Sequence, residues 1–289
     1  MRRCFLYFFI LAIMLLLPRC THNPFDDDKI SSNMAKISGR VLLGDDKSPE
    51  IVHVWLEGFD LTTHPDAQGN FSFLLPSPSL QPYGGLTGSF KIFFFMADYK
   101  LDSATVMVKN GQLLTNHGDI DENGHLRYLK ILPKKLRIFL SVSPDTAIED
   151  STNSLLLELR IEATADTVFI HYPDRSPGPL SILFIKNLSD TTQPVKIFEG
   201  SPFASAAPML TDSVSINPLF WYDGVTLADL DLPKGTYQII PFFVIDHKKV
   251  PADLLDNIGR LIDKPTLQFL DVPTYRRGGT FIIVESGNK

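Results

Sequence analysis

An acidic turn near the middle of the chain carries the residues best suited to bind a metal ion. Asp119, Asp121 and Asn123 precede Gly124 and match the first half of a calcium-binding loop, in which alternate oxygens surround one hard cation. The second half of such a loop does not match, because Lys130 stands where a bidentate carboxylate is needed. Two alternatives follow: Asp119, Asp121 and Asn123 bind Ca²⁺, or the turn is a polar hairpin tip that binds no ion.

Three consecutive aromatic residues, Phe220, Trp221 and Tyr222, form the best candidate for a ligand contact. Aromatic rings stack on sugars and on other protein surfaces, and they are enriched in binding patches. The alternative is structural, with one or two of the rings filling the core and the third covering a turn. The sequence alone does not decide between these two interpretations.

The remaining side chains show none of the spacings that mark common enzymes. None of the seven histidines lies two or four residues from another, as zinc-binding pairs do. The sequence also lacks the glycine motifs of nucleophile elbows, phosphate loops and dinucleotide-binding turns. We therefore expect a protein that is not an enzyme and has no cofactor, apart from the possible Ca²⁺, while a distant glycosidase or peptidase stays open as an alternative.

Composition predicts an all-β chain of about two domains. The chain has 289 residues, of which 44% are hydrophobic, and it contains 21 prolines and 18 glycines. Its formal net charge is −6, and its lysines and arginines are scattered along the sequence. This distribution argues against a nucleic-acid partner.

Residues 1–19 have the order of parts found in a bacterial export signal. Arg2 and Arg3 form a basic start, and residues 5–17 form an apolar segment shorter than the ~20 residues that span a bilayer. Pro18, Arg19 and Cys20 follow, and a cysteine just after the apolar segment resembles a lipoprotein signal. That resemblance implies that Cys20 is acylated, with palmitate among the attached lipids. Arg19 departs from the small residue that such signals have before the cysteine.

Cysteine usage supports the same interpretation. Cys4 lies inside the signal, so Cys20 is the one cysteine of the processed chain and cannot form an internal disulfide. An unpaired thiol is unusual in an oxidising compartment, and acylation accounts for it. Residues 20–35 are polar and predict a flexible linker close to the lipid. By resemblance to lipoproteins of diderm bacteria we expect a lipid anchor in the outer membrane, with a periplasmic or secreted protein as the alternative.

The stretch from Ile37 to Phe73 predicts the opening strands of an antiparallel sandwich. It reads Ile37/Gly39/Val41, then Val52/Val54/Leu56/Gly58, then Thr63/Asp66/Gly69/Phe71/Phe73. The apolar residues of each segment are separated by one residue or by three, as on one face of a strand. This pattern resembles the carboxypeptidase regulatory-like domain, over roughly residues 36–109. The resemblance implies a transthyretin-like β-sandwich and brings no catalytic residues with it. Phe93, Phe94 and Phe95 further predict a strand that is buried on both faces.

The second half of the chain predicts another sandwich. Leu155, Leu157, Leu159 and Ile161 alternate with polar residues, and further strand patterns follow. One helix is expected at about residues 251–263, starting near Pro251. We therefore expect two tandem sandwiches: a carboxypeptidase regulatory-like one at 36–143 and an Ig-like one, with the inserted helix, at 154–286. The strand at 135–142 closes the first sandwich or passes into the second.

These features favour an envelope lipoprotein that binds or scaffolds and is not an enzyme. Its partners would be the membrane, through the lipid anchor, and a protein or a glycan. The alternative is a carbohydrate-binding or carbohydrate-processing outer-membrane lipoprotein, with Phe220, Trp221 and Tyr222 in the contact.

Overall fold

Strands make up most of the secondary structure in the computed structural model, which describes residues 36–149, 154–174, 178–200 and 208–285. They form two β-sandwiches in tandem, as expected from the alternating apolar pattern. The predicted signal at 1–19, the linker at 20–35 and Cys20 itself lie outside the described residues. Within the described ranges, no helix combines the length and the apolar character needed to cross a bilayer.

The first sandwich consists of two sheets with the strand orders β4-β1-β8 and β3-β2-β5-β6-β7. All neighbouring strands are antiparallel except β1 and β8, which run parallel. The strands are β1 (Lys36–Leu43), β2 (His53–Leu56), β3 (Leu61–Thr63), β4 (Asn70–Leu74), β5 (Gly88–Phe95), β6 (Asp102–Lys109), β7 (Gln112–Leu113) and β8 (Lys130–Leu132).

Period-two alternation explains how these two sheets meet. Ile37 and Val41 of β1 and Phe71 and Phe73 of β4 are buried, while the residues next to them in sequence are more exposed. They pack against β5, where Phe71 makes an edge-to-face contact with Phe94 at 5.4 Å between ring centroids. The core of the first sandwich therefore lies between β1–β4 and β5.

The turn between β3 and β4 locks β4 against β1. The carboxylate of Asp66 accepts hydrogen bonds from the backbone N–H groups of Gln68 (3.0 Å) and Asn70 (2.8 Å). Gly69 has φ +88°, and its carbonyl accepts the N–H of Val41 at 2.9 Å. Glycine suits this position, because a left-handed backbone conformation lies here directly against a neighbouring strand.

The second sandwich contains three sheets, with the orders β16-β11-β9-β19, β10-β20-β17-β13-β14 and β15-β12-β18. Its strands are β9 (Leu136–Ser143), β10 (Thr146–Ile148), β11 (Ser154–Ala163), β12 (Val168–Pro173), β13 (Ile182–Asn187), β14 (Lys196–Glu199), β15 (Met209–Val214), β16 (Leu219–Thr226), β17 (Gly235–Pro241), β18 (Val244–Ile245), β19 (Arg277–Gly278) and β20 (Thr280–Val284). Leu155, Leu157, Leu159 and Ile161 all face its core, as their alternation predicts.

Strand β9 resolves the alternative that the sequence left open. It pairs along its whole length with β11, and Leu136, Ile138 and Leu140 are buried in the core of the second sandwich. The chain therefore passes from one sandwich to the next between β8 and β9, earlier than the boundary predicted after residue 143. The alternation of apolar residues predicts which face of β9 is buried. It does not predict which strand pairs with β9, because the same alternation fits any partner strand.

Strand β5 joins the two sandwiches. Ile92 and Phe94 point into the first core, while Phe93 and Phe95 belong to the core of the second, together with Trp55 of β2. The prediction that this strand is buried on both faces is confirmed. Polar contacts join the same two parts, since the N–H of Ala97 donates to the carbonyl of Pro273 at 2.8 Å.

In the part of the chain that the structure describes, the α-helices are short and belong to the second sandwich. The two α-helices of the described residues are α1 (Leu227–Leu230) and α2 (Ala252–Ile258), and 3₁₀ turns occur at Pro78–Leu80, Pro82–Gly84 and Leu267–Asp271. Helix α2 starts where predicted but ends before Gly259, so the predicted end at residue 263 is wrong. Helical spacing continues to Ile262, but Gly259 takes an extended backbone that interrupts the helix.

Candidate functional site

A groove lies where the first sandwich meets the outer face of β9 and β11, and we call it the junction groove. Its volume is about 540 Å³. The loop after β1, the segment before β9, the strands β9 and β11, and the segment entering β19 all contribute to its walls. Its lining residues are Asp45, Lys47, Lys134, Arg137, Ile138, Phe139, Arg160, Glu162, Tyr275 and Arg277.

Strand register brings the charged walls together. Arg137 of β9 lies opposite Glu162 of β11, and Phe139 lies opposite Arg160. Because side chains at every second position share a face, all four point away from the core. Glu162 accepts from both arginines, at 3.3 Å from Arg137 and 2.8 Å from Arg160. One carboxylate therefore serves two guanidinium groups.

The ring of Tyr275 is surrounded by cations. The Nζ atoms of Lys47 and Lys134 lie 5.6 Å and 5.4 Å from its centroid, and the guanidinium of Arg277 lies 6.0 Å away. Neither Lys47 nor Arg277 takes part in an ion pair with any other described residue. These two cations therefore contribute positive charge to the groove that no neighbouring carboxylate neutralises.

The groove floor is a buried network. Asp98 is fully buried, accepts from the Nζ of Lys134 at 2.7 Å, and also accepts from the backbone N–H of Tyr275 at 3.2 Å. Burial raises the pKa of Asp98, and the ammonium of Lys134 opposes that rise. The hydroxyl of Tyr99 donates to Asp45 at 2.6 Å. These contacts fix the first sandwich and the Tyr275 segment in one arrangement.

The three predicted aromatic residues divide between the core and the surface. Trp221 is only 6% exposed and packs edge-on against Tyr172 (4.7 Å) and Phe243 (6.0 Å), so it is not on the surface. Phe220 and Tyr222 are 41% and 67% exposed on the opposite face of β16, and their rings lie nearly parallel at 6.3 Å. The guanidinium of Arg160 lies 6.0 Å from the Phe220 ring. Arg160 thus connects these rings to the junction groove.

The acidic turn uses its carboxylates within the chain. Asp119 accepts the N–H of Thr105 at 2.7 Å, and Asp121 accepts the N–H groups of Asn123 and His125, each at 2.8 Å. Over the described ranges, no group of three or more His, Cys, Asp or Glu side chains is arranged to hold a metal ion. Calcium binding at Asp119, Asp121 and Asn123 stays a prediction that these contacts do not test.

Sequence reasoning did not find the junction groove. Arg137, Arg160 and Glu162 occupy outward positions of amphipathic strands, where charged residues are ordinary, and Lys47 and Tyr275 are far apart in the chain. One signal was available in the sequence: Arg137 and Phe139 occupy successive outward positions of the same strand, and an exposed aromatic residue beside an arginine can indicate a binding surface. Only the pairing of β9 with β11 shows that these residues form a common wall.

The comparisons with known proteins assign no family. No protein-family model matches the chain, and no curated protein matches it. Among solved structures, it is similar to the crystal structure of BcpA, the major pilin subunit of Bacillus cereus, over 86% of this chain and 98% of the pilin chain. The sequence identity is 8% and the TM-score is 0.23. A TM-score this low does not establish a common fold, so nothing about the pilin is carried over to this chain.

Proposed function

We propose that this protein is a non-enzymatic binding protein of the bacterial cell envelope and that its junction groove binds an acidic glycan. The observation that carries the proposal is the charge of the groove. Its lining holds five cations and two carboxylates, in a chain whose net charge is −6. A local excess of positive charge attracts anionic ligands to the groove, while the rest of this acidic protein repels them.

The aromatic rings favour a sugar as the carrier of the negative charge. Tyr275 lies inside the groove, and Phe139, Phe220 and Tyr222 are exposed on the adjoining sheet face. Rings of this kind stack on the apolar faces of sugars, while arginines bind carboxylates or phosphates through paired N–H donors. A polymer of charged sugars would use both kinds of contact along one path.

The cell-envelope location rests on the first 35 residues. The apolar segment at 5–17, with Cys20 after it, supports export and acylation. The polar residues 20–35 would form a flexible linker that separates the lipid from the first sandwich. In this proposal the outer membrane of a diderm bacterium holds the lipid. We also propose that residues 36–109 are a carboxypeptidase regulatory-like domain, supported by the left-handed Gly69 and the alternating Phe71 and Phe73 of that motif.

Binding of charged polymers by purified full-length protein tests the glycan proposal. We expect saturable binding of polygalacturonate and at least tenfold weaker binding of neutral dextran. The double variant Lys47→Gln/Arg277→Gln removes both unpaired cations, and we expect it to weaken polygalacturonate binding by about tenfold, which corresponds to roughly 1.4 kcal/mol.

A matched variant controls for net charge. Lys186→Gln/Lys249→Gln removes the same two charges from exposed positions outside the groove and should leave binding within about twofold, roughly 0.4 kcal/mol. Equal loss in both double variants would show that overall charge, not the groove, attracts the polymer. Equal binding of dextran and polygalacturonate would reject the acidic-glycan proposal outright.

A protein partner is the second candidate function, and the outer sheet face favours it. Leu156 is 63% exposed, with Gly224 opposite it on β16 and Tyr222 diagonal to it. Phe220 continues the same exposed face of β16 beyond Tyr222. Exposed apolar residues that adjoin one another mark protein-binding patches. Two results together would favour this function over glycan binding. The parent protein would not bind polygalacturonate, and the Leu156→Asp variant would lose a protein that co-purifies with the parent.

A further inference from the structure

The chain segment that enters β19 sends alternate side chains to two different sites. Tyr275 and Arg277 line the junction groove, whereas Val272, Thr274 and Arg276 line a separate cavity of about 250 Å³, which we call the Arg276 cavity. Extended backbone places successive side chains on opposite sides, so two neighbouring arginines serve two different sites. The Arg276 cavity lies beside α2.

Most of the cavity wall is apolar. Phe243, Ile245, Leu255, Ile262 and Phe269 contribute to it, and each is fully or partly buried. His247 also lines the cavity, and burial lowers the pKa of His247 to about 4, so its ring is neutral at physiological pH. The inner part of the cavity is therefore apolar apart from Arg276, while the other charged lining residues, Asp256, Arg260 and Asp263, are exposed.

The guanidinium of Arg276 has no protein partner among the described residues. It lies 5.0 Å from the centroid of the Phe269 ring, but no hydrogen bond or ion pair between described residues includes it. Asp98 exerts the main attraction on it, yet that carboxylate is already bound by Lys134 and Tyr275. Burial lowers the pKa of Arg276 to about 10, so the group is still a cation at neutral pH.

Arg276 is partly buried, and neither a carboxylate nor a carbonyl oxygen of the described residues pairs with its guanidinium. Water still reaches its nitrogens, so a ligand anion that enters the cavity can replace that water. An arginine carries five N–H donors in a planar fork that fits a carboxylate with two parallel hydrogen bonds. Two carboxylates, Asp256 and Asp263, lie at the exposed edge of the cavity, and neither forms an ion pair with Arg276. The carboxylate of a ligand would supply the partner that the guanidinium of Arg276 does not have among the described residues.

We propose that the Arg276 cavity binds a small organic acid, with its carboxylate on Arg276 and its apolar body against Phe243, Ile262 and Phe269. The volume admits a short aliphatic or aromatic monocarboxylate and is below the range of about 300–1,000 Å³ typical of drug-sized ligands. This site is separate from the junction groove and does not depend on the glycan proposal.

Calorimetric titration of the full chain with hexanoate and with benzoate tests the proposal. We expect 1:1 binding, with hexanol and benzyl alcohol binding at least tenfold more weakly, because they cannot pair with the guanidinium. Arg276→Met keeps an unbranched apolar side chain and should weaken the acids at least tenfold while leaving the alcohols unchanged. Equal affinity of acid and alcohol, or full affinity in Arg276→Met, would overturn the proposal.

Three further variants make the test decisive. Ala252 is exposed at the start of α2 and lines the cavity, so Ala252→Trp blocks the cavity with little risk to folding and should abolish binding of acids and alcohols alike. Arg260→Gln removes a second, exposed arginine of the lining and should change hexanoate affinity less than threefold. Lys47→Gln/Arg277→Gln should leave hexanoate binding unchanged, so failure of one site is distinguishable from failure of the other. Hexanoate binding that persists in Ala252→Trp would place the acid elsewhere and refute the assignment.

Discussion

Lys134 holds the floor of the junction groove, and its removal tests how the buried network is stabilised. Its Nζ lies 2.7 Å from Asp98, which is fully buried. Lys134→Met would leave a buried carboxylate without its charge partner, and we expect a loss of about 3 kcal/mol in the free energy of unfolding. Lys100→Met is the matched control, because Lys100 and Asp166 form an ion pair of the same length between exposed side chains. That control should cost less than about 1 kcal/mol in urea denaturation.

The pH dependence of Lys134→Met separates electrostatics from packing. Burial already raises the pKa of Asp98 above its unfolded value, and loss of Lys134 removes the main opposing influence. A carboxyl group whose folded pKa is raised takes up a proton on folding, so its contribution to stability grows as pH falls. The stability gap between the variant and the parent should therefore narrow between pH 7.5 and pH 5. A gap that stays constant would show that lost packing, and not an unpaired charge, causes the destabilisation.

At the scale of elements, the turn between β3 and β4 depends on one glycine. A Cβ atom at Gly69 would lie 2.1 Å from the carbonyl oxygen of Val41, and its φ of +88° already disfavours other residues. We expect Gly69→Ala to cost about 3 kcal/mol or more, of which left-handed strain supplies about 1–2 kcal/mol. Gly84 has φ +77° with no atom within 4 Å of the added Cβ. Gly84→Ala therefore measures the strain alone, and an equal loss in the two variants would contradict a role for the Val41 contact.

Elements that are set by local chemistry could be predicted from the sequence. Asn110 and Gly111 both have positive φ and connect β6 to β7, as an Asn-Gly hairpin turn requires. The short apolar run at residues 267–270 also fits a strand pattern, yet Leu267–Asp271 forms a 3₁₀ turn. Short apolar runs give no period long enough to distinguish the two.

Features that depend on which strands become neighbours could not be predicted. Phe220, Trp221 and Tyr222 were equal candidates for a ligand contact because three adjacent aromatic residues look alike in sequence. Strand alternation turns Trp221 to the core, as the structural alternative allowed, and leaves Phe220 and Tyr222 outside. The junction groove needs Lys47, Arg160 and Arg277 to meet in space, although they are far apart in sequence. Arg160 and Arg277 come together because β11 and β19 both pair with β9, and Lys47 lies in the loop after β1. Neither the local period nor the local composition contains that information.

At the scale of the whole molecule, the two sandwiches share one apolar contact surface. Trp55, Phe93 and Phe95 of the first sandwich are buried in the core of the second, and Trp55 stacks on Phe93 at 5.9 Å. Domains that merely follow one another along a chain meet through smaller, more polar surfaces and move independently. A shared apolar core instead makes the folding of one sandwich depend on the other, and it holds the two walls of the junction groove at a fixed distance.

The two tryptophans of the chain allow this coupling to be measured, because Trp55 lies in the first sandwich and Trp221 in the second. In the single-tryptophan variants Trp55→Phe and Trp221→Phe, we expect one fluorescence transition in urea and a midpoint that matches circular dichroism of the same variant. Phe93→Ala/Phe95→Ala removes the shared rings at a cost of about 3–5 kcal/mol each and should separate the two fluorescence midpoints. Phe220→Ala, which removes an exposed ring, should leave them together. Separate transitions in the parent chain would mean that the sandwiches fold independently, and the fixed geometry of the groove would then lose its physical basis.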